Sequence, residues 1–370
     1  MEFTVAKSDL VRELALTQGV VEKRTTIPIL SNLLIEASQD RVQFTATDLE
    51  LAVRCSCPAA VKKTGSGTIP AKRFLDYVRL LPDAELQIKF GDNQWVSIVC
   101  GRSRTKIAGM SRESYPELPE MGDKLADIPA AQFASMIQQT IFAISAEESR
   151  FTLNGALLLL RPESLVMVST DGHRLALVER PMALGPGASY RALLPRKAMT
   201  ELLKLAAEAS ENAMFQFGAT DNHLFFQLGD RLLISRKLTG NFPDYERVLP
   251  KQQPHSITIN RDEFRSTLER VAQFSDERSH AVRIRIEPGE LKVFSSLSET
   301  GESEESLTAT YDGPTTEIGF NAFYVLEFLR ASPEQQIQFI FKDSASAGEL
   351  QPGGEDVNYT YRYVIMPMRI

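Results

Sequence analysis

Apolar positions along the chain switch between two spacings, and the switching repeats. Residues three and four apart predict six amphipathic helices: Leu10 and Leu14; Phe74, Tyr77, Val78 and Leu81; Phe133, Met136, Ile137 and Ile141; Met199, Leu202, Leu203 and Ala206; Phe264, Leu268 and Val271; Val325, Phe328 and Leu329. Short β-like runs precede three of them, at Phe3-Thr4-Val5, Asp127-Ile128-Pro129 and Ile257-Thr258-Ile259. Pro70 and Pro195 suit the starts of two others, where a missing amide hydrogen costs nothing. The runs Leu165–Val168 and Leu175–Val178 flank Asp171-Gly172, a hairpin signal that favours antiparallel meanders over parallel crossovers.

These elements recur at about a third of the chain, the signature of internal repeats. Thr68-Ile69-Pro70-Ala71-Lys72-Arg73-Phe74 resembles Leu193-Leu194-Pro195-Arg196-Lys197-Ala198-Met199, and a weaker third copy starts at Phe320. Thr47-Asp48 matches Thr170-Asp171, and Tyr115-Pro116-Glu117-Leu118-Pro119 matches Phe242-Pro243-Asp244-Tyr245, read as linkers. The expectation is an α+β protein of three tandem domains, 1–125, 126–253 and 254–370, each made of two similar halves. Two stretches read as loops: 299–306, which has no apolar residue, and 345–355, which contains glycine and proline.

Composition narrows the function. Forty-three per cent hydrophobic and 24% charged residues over 370 positions describe a globular protein with a sizeable core. The net charge of −7 should repel nucleic acid at long range, so a polyanion partner must meet a locally basic surface. Three cysteines cannot make a disulfide framework, and no targeting segment or membrane span is evident, so a soluble, cytoplasmic protein is expected. No phosphate-binding loop occurs, and four scattered histidines with Cys55-Ser56-Cys57 offer no metal-site spacing, so neither cofactor nor metal is expected. A hydrolase built on Asp171 and His173 would lack a nucleophile elbow, and a non-enzyme is the favoured reading.

The charges are patterned. Cations collect on the helices: Lys7, Arg12, Lys23 and Arg24; Lys72, Arg73 and Arg79; Arg196, Lys197 and Lys204; Arg261, Arg265 and Arg270. They either coat solvated faces or share one inner surface suited to a phosphate backbone. Arg102, Arg104 and Lys106 alternate on one β-like run, whereas Glu299, Glu302, Glu304 and Glu305 crowd a segment of the last third. Head-to-tail association would join these opposite signs; a charged edge strand and an unrelated acidic loop are the alternative. The ending Tyr363-Val364-Ile365-Met366-Pro367-Met368-Arg369-Ile370 is apolar, and either completes its own sheet or builds a groove for varied peptides.

Four blocks in order carry a family resemblance across essentially the whole chain: Ile27-Pro28-Ile29-Leu30-Ser31-Asn32-Leu33-Leu34, Thr170-Asp171-Gly172-His173-Arg174-Leu175-Ala176, Phe242-Pro243-Asp244-Tyr245-Glu246-Arg247-Val248-Leu249-Pro250 and Val364-Ile365-Met366-Pro367-Met368-Arg369. The chain resembles the bacterial sliding clamps, the beta subunits of DNA polymerase III. That resemblance implies three clamp domains per chain and a head-to-tail homodimeric ring, with antiparallel sheets outside and helices lining a central hole. The ring would encircle double-stranded DNA without sequence preference and hold the polymerase at its template. Implied partners are the polymerase III alpha subunit, the clamp loader, and other polymerases and repair proteins, each through a short clamp-binding peptide. Carried over by position, the peptide groove takes Leu153, Thr170, Gly172, His173, Arg174, Leu175, Pro243, Arg247, Val248, Asn321, Tyr324, Ser344, Val364, Met366, Pro367, Met368 and Arg369. The DNA surface takes Arg24, Arg73, Arg150, Phe151, Arg196 and Lys197, with Phe151-Thr152 where relatives carry paired tyrosines. The dimer interface takes Arg102, Arg104, Lys106 and Phe274 together with Glu299, Glu302, Glu304 and Glu305. A triplicated peptide-binding adaptor that encircles no DNA is the competing reading.

Overall fold

The computed structural model describes residues 1–21, 26–147, 149–185, 189–297, 301–354 and 357–369, the side chains of Ser296 and Leu297 excepted. Lys23, Arg24, Glu299 and Ile370, all named above, lie outside these residues. Six α-helices occur among the described residues: α1 (Lys7–Thr17), α2 (Ala71–Leu80), α3 (Ala130–Gln138), α4 (Arg196–Ala207), α5 (Arg261–Val271) and α6 (Ala322–Ala331). The chain divides into two compact units, residues 1–134 with 197–237, and residues 135–196 with 238–370.

In the first unit a five-stranded sheet runs Ala60–Lys63, Glu2–Ala6, Glu85–Phe90, Trp95–Cys100, Ser103–Ala108 in spatial order. An eight-stranded sheet runs Lys124–Pro129, Met214–Ala219, His223–Leu228, Arg231–Arg236, Leu51–Pro58, Arg41–Thr47, Asn32–Ser38, Gly65–Pro70. Helices α1 and α2 pack together and bury Leu10 and Leu14 of one, and Phe74, Leu75 and Val78 of the other. All but Leu75 are positions the 3.6-residue spacing selects, whereas the selected Tyr77 is only half-buried, so burial of one apolar stripe accounts for both helices.

The second unit repeats the plan. Its eight-stranded sheet runs Tyr190–Pro195, Gly155–Arg161, Ser164–Thr170, Arg174–Pro181, Thr360–Ile365, Gly348–Gly353, Gln336–Phe341, His255–Asn260. A four-stranded sheet runs Gly301–Thr308, Glu290–Leu297, Ala281–Glu287, Thr316–Asn321. Every pairing between these named strands is antiparallel. Helix α5 carries a full set of start and stop signals. Asn260 Oδ1 accepts from the amides of Asp262 (3.0 Å) and Glu263 (3.1 Å), acids fill the first turn and Arg270 sits in the last.

Two stretches read as loops are strands over most of their described residues. Gly301–Thr308 is the outer strand of the four-stranded sheet, with one neighbour only, so polar side chains remain wet on both faces and no apolar alternation develops. Gly348–Gly353 is an inner strand, but its pairing with Thr360–Ile365 covers only Gly348–Leu350. Pro352, which has no amide hydrogen to donate, therefore lies where no bond is required. Arg102 is in the turn before the strand Ser103–Ala108 rather than on it.

Candidate functional site

The turn Thr170–Arg174 joins two strands of the second unit's large sheet and forms one wall of an apolar recess. Asp171 Oδ1 accepts from the amides of His173 (2.9 Å) and Arg174 (3.1 Å), and Thr170 Oγ1 accepts from the Gly172 amide (3.1 Å) and donates to the Arg174 carbonyl (2.6 Å). Gly172 sits at φ +91°, a conformation glycine adopts freely. The Met366 amide then donates to the His173 carbonyl (2.9 Å), which brings the chain's last segment against the turn.

The recess encloses about 120 Å³ and is lined by Leu153, Thr170, Gly172, His173, Arg174, Leu175, Pro243, Tyr245, Val248, Val364 and Met366. Leu175 and Val364 face each other across paired strands and form its floor, continuous with a buried cluster that includes Leu157, Val168 and Tyr245. A wider recess of about 430 Å³ is lined by Arg283, Glu317, Gly319, Ser344, Ala345, Pro367, Met368 and Arg369. Met366 and Val248 are exposed beside an apolar floor, a surface fitted to a short extended segment carrying apolar anchors.

Ten of the residues expected in a groove thus line the first recess, and Ser344, Pro367, Met368 and Arg369 line the second. Three lie elsewhere. Arg247 is 86% exposed and paired with Asp244 (2.7 Å). Asn321 caps α6, accepting from the amides of Phe323 and Tyr324, and donates to the Ser279 carbonyl. Tyr324 stacks on the Arg174 guanidinium, 4.1 Å from its ring centre. Sequence reasoning missed Tyr245, although it lies in a quoted block, and Arg283, Glu317, Gly319 and Ala345, which come from two other strands and a loop with no shared signal.

The first unit holds the same turn. Asp48 Oδ1 accepts from the amides of Glu50 (2.9 Å) and Leu51 (2.6 Å), Leu49 donates to Thr47 Oγ1, and the Arg236 amide donates to the Glu50 carbonyl (2.7 Å). Leu49, at φ +77°, stands where the other turn has Gly172.

The cations expected to meet DNA fall in both units. Arg73 is exposed in the first turn of α2. Arg196 and Lys197 are exposed in the first turn of α4, and Lys197 pairs with Asp48. Cations at a helix start oppose its dipole, so helix stability does not explain their presence. Arg150 is turned toward the Asp171 carbonyl (2.8 Å) and Glu147 (2.8 Å), and Phe151 is 71% exposed.

The charged runs lie on free edges. Ser103–Ala108 carries exposed Arg104 and Lys106 at one edge of the five-stranded sheet, and Gly301–Thr308 carries exposed Glu302 and Glu304 at an edge of the four-stranded one. Glu305 is held by Arg270, whose hydrogen bond keeps its carboxyl below the usual range. Phe274, 37% exposed, abuts Gly301. No cluster of potential metal ligands occurs among the described residues.

Three family models match in succession: the DNA polymerase III beta subunit N-terminal domain over residues 1–119, its central domain over 127–244 and its C-terminal domain over 246–369. The beta sliding clamp of Chlamydia muridarum is 34% identical over 371 residues, covering 100% of this chain and 99% of that protein. That of Caulobacter vibrioides is 35% identical over 378 residues, covering both chains fully, 100% of each. Among solved structures, sliding clamps of Pseudomonas aeruginosa and Bartonella birtlesii, each bound to griselimycin, match over 100% of both chains with a TM-score of 0.94, at 31% and 34% identity. With its antiparallel sheets, the six helices among the described residues and three consecutive domain matches, the chain belongs to the DNA polymerase III beta subunit family, the beta sliding clamps.

Proposed function

We propose that this chain is a non-catalytic processivity clamp: two copies join head to tail around double-stranded DNA, and the recess beside the Asp171 turn receives peptide segments of the polymerase and other clients. Three domains, 1–125, 126–253 and 254–370, would supply each half of the ring. Tethering replaces a fresh diffusional encounter at every step, so nonspecific phosphate contacts suffice and base-specific ones would stall sliding.

One observation carries the ring: the chain already uses the required joint twice. In the first unit Leu51–Pro58 pairs with Arg231–Arg236, Leu51 opposite Ser235 and Arg54 opposite Leu232. In the second Arg174–Pro181 pairs with Thr360–Ile365, Arg174 opposite Ile365 and Leu177 opposite Arg362. Leu51, Arg174 and Gly301 are equivalent, each seven residues before the end of its strand at Pro58, Pro181 or Thr308. Ser103 and Arg231 are equivalent too, each following a turn with a left-handed glycine, Gly101 at φ +56° and Gly229 at φ +58°. Carrying the register to the two unpaired edges sets Gly301 of one copy opposite Ile107 of another. Glu302 then faces Lys106, and Glu304 faces Arg104. Opposite charges directly across paired strands favour this register, and a one-residue slip would lose both pairs.

Sedimentation tests it. Arg104→Glu and Glu304→Arg should each weaken the dimer, and the two together should restore it; a combined variant no better than either single one removes the register.

A further inference from the structure

Arg174 differs from the other residues of the recess because its side chain leaves it. The residue is only 8% exposed, and each nitrogen of its guanidinium is hydrogen-bonded: Nε with Asp171 Oδ2 (3.0 Å), Nη1 with Glu327 and with the Tyr363 hydroxyl (3.3 Å), and Nη2 with the Phe142 carbonyl (2.6 Å). It stacks against the rings of Tyr324 (4.1 Å) and Phe142 (5.6 Å). Burial works against the charge, but Tyr363 and Glu327 more than offset it and raise the pKa, so the group stays a cation. Its backbone meanwhile belongs to the recess wall, through the bonds to Asp171 and Thr170 given above. The position of the wall is thus set by what holds the buried cation, and besides Asp171 in the turn itself the carboxylate partner given for it is Glu327 on α6, beside the neutral Tyr363 hydroxyl and Phe142 carbonyl.

We propose that Glu327, which lines neither recess, is a positioning residue for the peptide site, fixing the Thr170–Leu175 wall through Arg174 and so coupling α6 to occupancy of the recess. This rests on the reading that the recess receives a peptide. Removing the Glu327 charge leaves the buried guanidinium with Asp171 but without its second counter-charge, and the weaker hold lets the turn shift. The same linkage runs in reverse: a peptide that packs on the wall tightens the Arg174–Glu327 contact.

The test uses the full chain and a fluorescein-labelled short extended peptide with apolar side chains and a glutamine, followed by fluorescence polarisation. Glu327→Gln should raise Kd by about tenfold, the order expected when a charged hydrogen bond is weakened. The matched control is Glu13→Gln in the first unit, which also strips a carboxylate, 3% exposed, from a bidentate arginine pair, with Arg231 at 2.7 and 3.0 Å. It should lower the melting temperature and leave Kd unchanged. In the parent, peptide should slow amide exchange at Leu175 and Val364, and this protection should be smaller in Glu327→Gln. If the parent binds and Glu327→Gln binds equally well, or if both variants weaken binding alike, the positioning role is overturned while the recess stands. If the parent itself does not bind, the peptide reading fails and this inference with it. Should Glu327→Gln not fold, Glu327→Asp, one methylene shorter with the charge kept, is expected to give a smaller loss, and an unchanged Kd overturns the role.

Discussion

At the scale of single residues, one position distinguishes two turns that are otherwise built alike. The Asp48 and Asp171 turns share their hydrogen bonds, yet Leu49 occupies the place of Gly172. A Cβ on Gly172 would come within 3.0 Å of Arg150 Nη1 and would have to live at φ +91°. Gly172→Ala should therefore cost on the order of 1–3 kcal/mol of stability and weaken peptide binding. Thermal unfolding and polarisation check the two halves, and a variant with unchanged melting temperature and affinity would contradict the account. The aspartates and the glycine of this site were legible because a short turn draws its whole geometry from adjacent residues. The inward course of Arg174 was not, since its partners Phe142, Glu327 and Tyr363 come from distant parts of the chain. Likewise Tyr245 rather than Arg247 lines the recess, because three residues of 3₁₀ helix, Tyr245–Arg247, turn adjacent side chains in different directions.

At the scale of elements, the helices were readable from spacing alone and the two polar strands were not. A helix facing a core on one side announces itself every three to four residues, whereas an outer strand such as Gly301–Thr308 owes its structure to a partner the local sequence does not contain. Helix starts carry a separate message. Lys72 and Arg73 open α2 with no acid in its first turn, a placement that opposes the dipole by roughly 0.3–1 kcal/mol per charge. If these cations serve a phosphate backbone, Arg73→Glu should do two opposite things: leave the melting temperature equal or slightly higher, and weaken binding to primed DNA, with the deficit shrinking at high salt. A variant that loses stability but keeps DNA binding would assign Arg73 to structure instead.

At the scale of the whole molecule, an acidic chain that acts on a polyanion needs topology to supply what net charge opposes. With a formal charge of −7, open binding should be weak and salt-sensitive, whereas a closed ring is retained irrespective of local affinity. Loaded protein should therefore remain on nicked circular DNA through a high-salt wash and be released when the circle is cut. Release from the intact circle would favour the adaptor reading, in which peptides are bound without encirclement.

The large sheets also set a schedule for synthesis. Leu51 finds its strand partner at Ser235, and Arg174 finds its own at Ile365. At about 5–20 residues per second, the first of these edges waits on the ribosome for roughly 10 to 40 s before its neighbour emerges. During that interval it is a bare template, open to any passing strand, so the nascent chain gains from a chaperone between the completion of its first third and the arrival of Arg231–Arg236.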